Sequence, residues 1–169
     1  MEKRYGAPVA GAEKEVLAGF LDHYRATVLE LCRGLSEEDL RRSLVASGTT
    51  LLGIVKHLAY VELGWFVENV ANEPVDYPFD DEVDPGADFR GGDDETAEEI
   101  FELYRSACER SRAALAAVSL DDPIRNPERS RDYNVRWVVG HMIEETARHA
   151  GQMDIIREQL DGRTEVGYS

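Results

Sequence analysis

Apolar residues recur along this chain at the three- and four-residue spacing of helices, and four stretches carry that pattern. The first runs from about Glu13 to Leu35. Leu17, Phe20, Leu21, Tyr24, Val28, Leu31 and Cys32 form its apolar face, and Gly34 marks its stop. Ser36, with Glu37, Glu38 and Asp39 behind it, has the chemistry of a capped short turn before Leu40. The second stretch starts near Thr49 or Thr50, either of which can cap it, and reaches about Val70. Its stripe is wide: Leu51, Ile54, Val55, Leu58, Val61, Glu62, Trp65 and Phe66. The third runs from about Thr96 to Val118; Thr96 and Glu99 match a capping box, and Phe101, Tyr104, Cys108, Leu115 and Val118 face inward. The fourth runs from about Val135 to Leu160 and ends at Gly162. No segment alternates with period two. Four amphipathic helices of this length predict an all-α fold, an antiparallel-type four-helix bundle occupying residues 1–169 as one domain.

Between the second and third helices the chain reads EPVDYPFDDEVDPGADFRGGDDE, a long loop rich in Pro, Gly and Asp. Such a loop is long enough to span the bundle and let helices two and three run parallel. Its carboxylates (Asp80, Asp81, Glu82, Asp84, Asp88, Asp93 and Asp94) do not follow the spacing of a calcium loop. A solvated, mobile loop is the expectation. A second polar loop, holding Pro123 and Pro127, precedes helix four.

Charge narrows the partners. Nineteen Lys and Arg stand against 34 Asp and Glu, a formal net charge of −15. That balance argues against nucleic acid and against an anionic membrane face. No window of 18 residues is apolar throughout, and Glu13, Lys14 and Glu15 interrupt the start, so a cytoplasmic location is expected. Cys32 and Cys108 each lie within a helical pattern and are expected to be reduced core thiols rather than a disulfide. There is no nucleophile elbow, P-loop or glycine-rich nucleotide fingerprint.

Helix four carries the most chemistry. At about 100° per residue, Val135, Val138, Met142, Met153, Ile156 and Leu160 share a narrow stripe, and His149 falls inside it. Glu145 stands one turn before His149, about 40° round the helix. Burying a carboxylate is costly unless it is paired or binds a metal, so Glu145 either hydrogen-bonds His149 in the core, pairs with a neighbouring Arg, or shares a metal ion with His149. His57, beside Ile54 and Val61 on helix two, adds a third donor. Two imidazoles and one carboxylate, with a fourth position open, make the ligand set of a catalytic zinc site. His141 drifts off the stripe and His23 lies off that of helix one; neither is expected to be a ligand. The stretch from Arg125 to Arg136, at the start of helix four, is a weaker candidate for holding an anionic substrate.

TLLGIVKHLAYVELGWF (50–66) and RWVVGHMIEETARHAGQMDIIRE (136–158) resemble the two signature segments of the DinB-like superfamily. The similarity is greatest to the branch of the mini-circle proteins and mycothiol-dependent maleylpyruvate isomerase. The resemblance implies a divalent metal, zinc first and nickel as an alternative, held by His57, Glu145 and His149. It departs from many relatives after the last ligand, where Ala150, Gly151 and Gln152 replace an Asn-Gly-His type of segment. Gln152 is therefore not expected to bind the metal.

The resemblance also implies a low-molecular-weight thiol such as mycothiol and a small electrophilic substrate, joined by S-transfer or thiol-assisted isomerisation. A metal-binding stress-related or sensor module without turnover, a metal-dependent hydrolase and a purely structural polar trio are the alternatives. Val67, Val70 and Ile155 lie outside the main stripes and suit a homodimer, in line with the resemblance.

Overall fold

The computed structural model describes residues 7–80, 82–90, 95–129 and 133–164. Among the described residues every regular element is helical, apart from one isolated antiparallel bridge between Pro123 and Asn134. The elements are α1 (Glu13–Cys32), α2 (Glu37–Arg41), α3 (Leu51–Glu62), a π-helical stretch (Leu63–Val70), a 3-10 turn (Ala87–Phe89), α4 (Ala97–Ala116) and α5 (Val135–Asp161). This is the all-α architecture that the apolar periodicity predicts. The chain divides into two compact units, Met1–Leu51 with Val139–Ser169, and Leu52–Val138.

The first unit contains α1, α2 and most of α5. Its core holds Leu21, Val28, Leu31 and Cys32 of α1 and Val139, Met142, Met153 and Ile156 of α5. Phe20 leaves the expected stripe and is exposed, standing about 100° round the helix from the fully buried Leu21. α1 stops three residues early, at Cys32, and Gly34 takes the positive φ of 79° foreseen for a stop signal. Arg157 of α5, 4% exposed, closes that helix end. Its Nη1 donates to the carbonyls of Leu31 and Arg33 at 2.8 and 2.9 Å, and its other nitrogens grip Asp161. A cation thus satisfies carbonyls that the end of a helix leaves without partners. Ser36 caps α2 by accepting from Asp39 N–H at 3.1 Å.

The second unit contains α3, the π-helical stretch and α4. Leu52, Ile54, Val55, Leu58 and Ala59 are all at most 1% exposed, so α3 is buried almost all round. At α4, Thr96 and Glu99 make the capping box: Thr96 Oγ1 accepts from Glu99 N–H at 3.3 Å, and Glu99 Oε2 accepts from Thr96 N–H at 2.8 Å. That exchange holds the Glu99 carboxyl below its ordinary value.

The second predicted helix is not α-helical to its end. From Leu63 its turns widen, and Ala71 N–H reaches back five residues to Phe66 O at 2.9 Å. The buried Asn69 side chain donates to Gly64 O at 2.6 Å across the same widened turn. Asn69 also ties the helix to the loop ahead of α5. Its carbonyl accepts from Arg125 and Asn126 N–H, both at 3.0 Å, and its Oδ1 accepts from Asn126 Nδ2 at 3.0 Å.

Candidate functional site

On α5, Glu145 and His149 are one turn apart and joined directly. His149 Nε2 lies 3.1 Å from Glu145 Oε1, with His149 8% exposed and Glu145 partly buried. The other ring nitrogen, Nδ1, lies 2.9 Å from Gln152 Oε1. An amide oxygen only accepts, so Nδ1 carries the proton and Nε2 presents its lone pair. A lone-pair nitrogen and a carboxylate oxygen at 3.1 Å are two acceptors in contact. A cation satisfies both, whether a proton on the ring or a metal ion shared between them. Gln152 therefore fixes the orientation of the His149 ring.

His57 of α3 is held differently. Its Nδ1 is 2.5 Å from Asp88 Oδ2, and its ring stacks on Phe89 with centroids 3.8 Å apart and an interplanar angle of 16°. Both side chains of the pair are largely buried, at 13% and 15% exposure. The carboxylate accepts the Nδ1 proton, which leaves Nε2 as the lone-pair nitrogen; the aromatic face sets the ring plane. This carboxylate–histidine arrangement is one that orients metal-binding imidazoles.

Asp88 and Phe89 both come from the 3-10 turn in the acidic loop. That loop is therefore not merely solvated, as its composition suggests. Lys56, next to His57 in sequence and 6% exposed, fastens it: Nζ donates to Glu95 Oε2 at 2.6 Å and to Arg90 O at 3.0 Å. Asp81, Asp93 and Asp94 lie outside the described residues.

Beside His57 opens a cavity of about 590 Å³. Tyr60, Val61, Glu68, Tyr77, Phe79, Asp80 and Asp88 line it with His57. Tyr60 and Phe79 meet edge to face at 4.8 Å, and Tyr77 stands 5.8 Å from Phe79 and 5.9 Å from Tyr60. Tyr77 donates to Glu68 Oε2 at 3.3 Å. A Cβ on Gly64 would stand 3.2 Å from that hydroxyl, tighter than ordinary contact, so glycine here lets Tyr77 lie over the helix. The Tyr60 hydroxyl is pushed above its ordinary pKa by burial first and then by the charges of Glu95 and Asp76.

The remaining candidates stay apart from this chemistry. His141 is half-buried, and its Nδ1 is 3.8 Å from the Glu144 carboxylate, beyond hydrogen-bond range. His23 is half-buried on α1 beside Tyr24. Of the arginines near the start of α5, Arg136 is engaged by Asp121 at 2.6 Å, Arg125 and Arg129 are exposed, and Arg131 lies outside the described residues. Cys32 and Cys108 are buried thiols outside any disulfide, and burial pushes the Cys32 pKa up to about 12. No helix among the described residues is long and apolar enough to cross a membrane.

The sequence reading missed Asp88 and Phe89. Phe89, like Tyr77 and Phe79, is an aromatic residue within a loop dominated by Asp, Pro and Gly, and an aromatic ring in so polar a loop is the signal that marks the turn as anchored. The family model described as mycothiol-S-transferase matches residues 16–162, a span that includes His57, Glu145 and His149. No curated protein matches the chain.

Proposed function

Because the chain belongs to the mycothiol-S-transferase family, a DinB-like family, we propose that it joins the sulfur of a low-molecular-weight thiol of the mycothiol type to a small electrophile. We propose further that His57, Glu145 and His149 hold one divalent ion, zinc first, with nickel or another divalent ion as the alternative that the same nitrogen and oxygen donors accept. The observation that carries the metal reading is the Glu145 carboxylate set 3.1 Å from the His149 ring one turn along α5, within a family match that also spans His57. Two further observations support it. Both imidazoles have Nδ1 engaged by an oxygen acceptor, which turns Nε2 into the ligating nitrogen. The carboxylate adds a negative charge where a dication would be held.

When bound, such an ion supplies Lewis acidity and lowers the pKa of a coordinated thiol, so that the sulfur reacts as thiolate. The chain's own residues do the positioning. Asp88 and Phe89 hold the ring of His57, and Gln152 holds that of His149. The cavity beside His57 offers an aromatic wall to the electrophile. In the reaction the sulfur forms a bond to the electrophilic carbon while the bond to the leaving group breaks; the thiol proton passes to solvent. With an unsaturated acceptor, the π pair moves to the neighbouring atom and takes up a proton instead.

The test is consumption of mycothiol with an electrophile such as a bimane halide, comparing zinc-loaded wild type with His149→Ala. The reading expects zinc-dependent conjugation that the variant loses. Equal rates with and without protein would contradict it.

A further inference from the structure

The electrophile's chemical class is open, and the cavity beside His57 bears on it. This inference rests on the S-transfer reading for what the molecule does, but its binding chemistry is independent of turnover. Three aromatic rings from two places in the chain, Tyr60 on α3 and Tyr77 and Phe79 in the following loop, converge on this space. A volume of about 590 Å³ suits a small organic molecule. Glu68, Asp80 and Asp88 are its acidic lining residues, and no Lys or Arg is among the described residues that line it. Lys56, the neighbouring cation, is turned to Glu95 and the carbonyl of Arg90.

We infer that this cavity is the electrophile subsite and that it selects flat aromatic molecules by charge, favouring cationic over neutral over anionic ones. Aromatic faces attract flat rings and cations, since the ring quadrupole is negative over its face. Carboxylates at the same surface add attraction for positive charge and repel negative charge, most strongly where water is sparse. Ionisation of the Tyr60 hydroxyl is disfavoured by burial first and then by the charges of Glu95 and Asp76, which add further negative charge near this aromatic wall. A dication balanced by one carboxylate and one thiolate has no net charge left, so the cavity's own carboxylates set the sign that an incoming molecule meets.

The test is calorimetric titration of the zinc-loaded, mycothiol-saturated full chain with benzyltrimethylammonium, benzyl alcohol and phenylmethanesulfonate, which share a ring and differ in charge. At low ionic strength the cation should bind about tenfold more tightly than the sulfonate, and added salt should shrink that gap. Glu68→Gln should narrow it while retaining a polar partner for Tyr77. Phe79→Ala, checked for folding by circular dichroism, should weaken all three. Sulfonate binding as tight as the cation, or no binding by any probe, would overturn the subsite. So would an unchanged gap in a Glu68→Gln, Asp80→Asn double variant. If the charge order holds while mycothiol is never consumed, the S-transfer reading fails and the subsite stands. If mycothiol is consumed fastest with anionic electrophiles, the subsite fails and the S-transfer reading stands.

Discussion

His149 and His57 present the same nitrogen by opposite means. His149 is oriented by its own helix: Glu145 one turn before it and Gln152 three residues after it. His57 is oriented from 31 residues away, by Asp88 and its neighbour Phe89 in the acidic loop. The first arrangement follows from helical periodicity alone, and forms wherever α5 forms. The second requires a loop to be folded back and held, which Lys56 does by binding Arg90 and Glu95. Helix formation therefore preorganises one imidazole, whereas loop closure preorganises the other.

The largest effect expected is loss of the ion itself. His57→Ala and His149→Ala should each take metal content from near one equivalent to near none, measured by elemental analysis of protein purified without chelators. Retention of a full equivalent in either variant would remove that histidine from the site. Glu145→Gln should follow, with weaker zinc affinity in a competition titration, because it replaces an anionic donor by a neutral one.

Asp88→Asn tests the asymmetry between the two histidines. Loss of an outer carboxylate of this kind lowers metal affinity by roughly 10- to 100-fold. Gln152→Leu should cost less, because a neutral amide polarises the ring less than a carboxylate does. Equal losses would erase the distinction between loop-held and helix-held ligands.

Arg157→Ala should destabilise the first unit by about 2–4 kcal/mol in denaturant unfolding, since it leaves the carbonyls of Leu31 and Arg33 without their buried donor. It should leave the stacking of His57 on Phe89 untouched.

The smallest effect concerns Cys32. Its folded pKa of about 12 lies above the ordinary thiol value of 9.0, so the folded state holds the proton more tightly than the unfolded chain. The associated stability is complete below about pH 9 and declines as pH rises toward 12. Thermal melting across that window should fall less steeply in Cys32→Ala than in wild type. Equal slopes would show that the thiol does not contribute.

The same contrast explains what could be read in the sequence. The helices were legible because burial selects a 3.6-residue period, and Glu145 with His149 was legible because four residues complete nearly one turn. Thr96 with Glu99 and Gly34 signalled their boundaries by local chemistry that the structure retains. The widening of the helix after Glu62 was not legible. It depends on Asn69 reaching Gly64 and on the loop residues Arg125 and Asn126, a tertiary arrangement with no periodic trace. Phe20 was misplaced because an aromatic residue near the edge of a stripe fits the pattern whether or not it is covered. Asp88 was hidden among similar carboxylates; only closure of the loop distinguishes it from Asp80 or Asp84.

Diffraction from crystals grown with zinc, recorded on both sides of the zinc absorption edge, tests the central claim most directly. The account predicts one anomalous peak within about 2.0–2.2 Å of Nε2 of His57, a carboxylate oxygen of Glu145 and Nε2 of His149. Density for zinc elsewhere, or none at this trio in fully loaded protein, would contradict it.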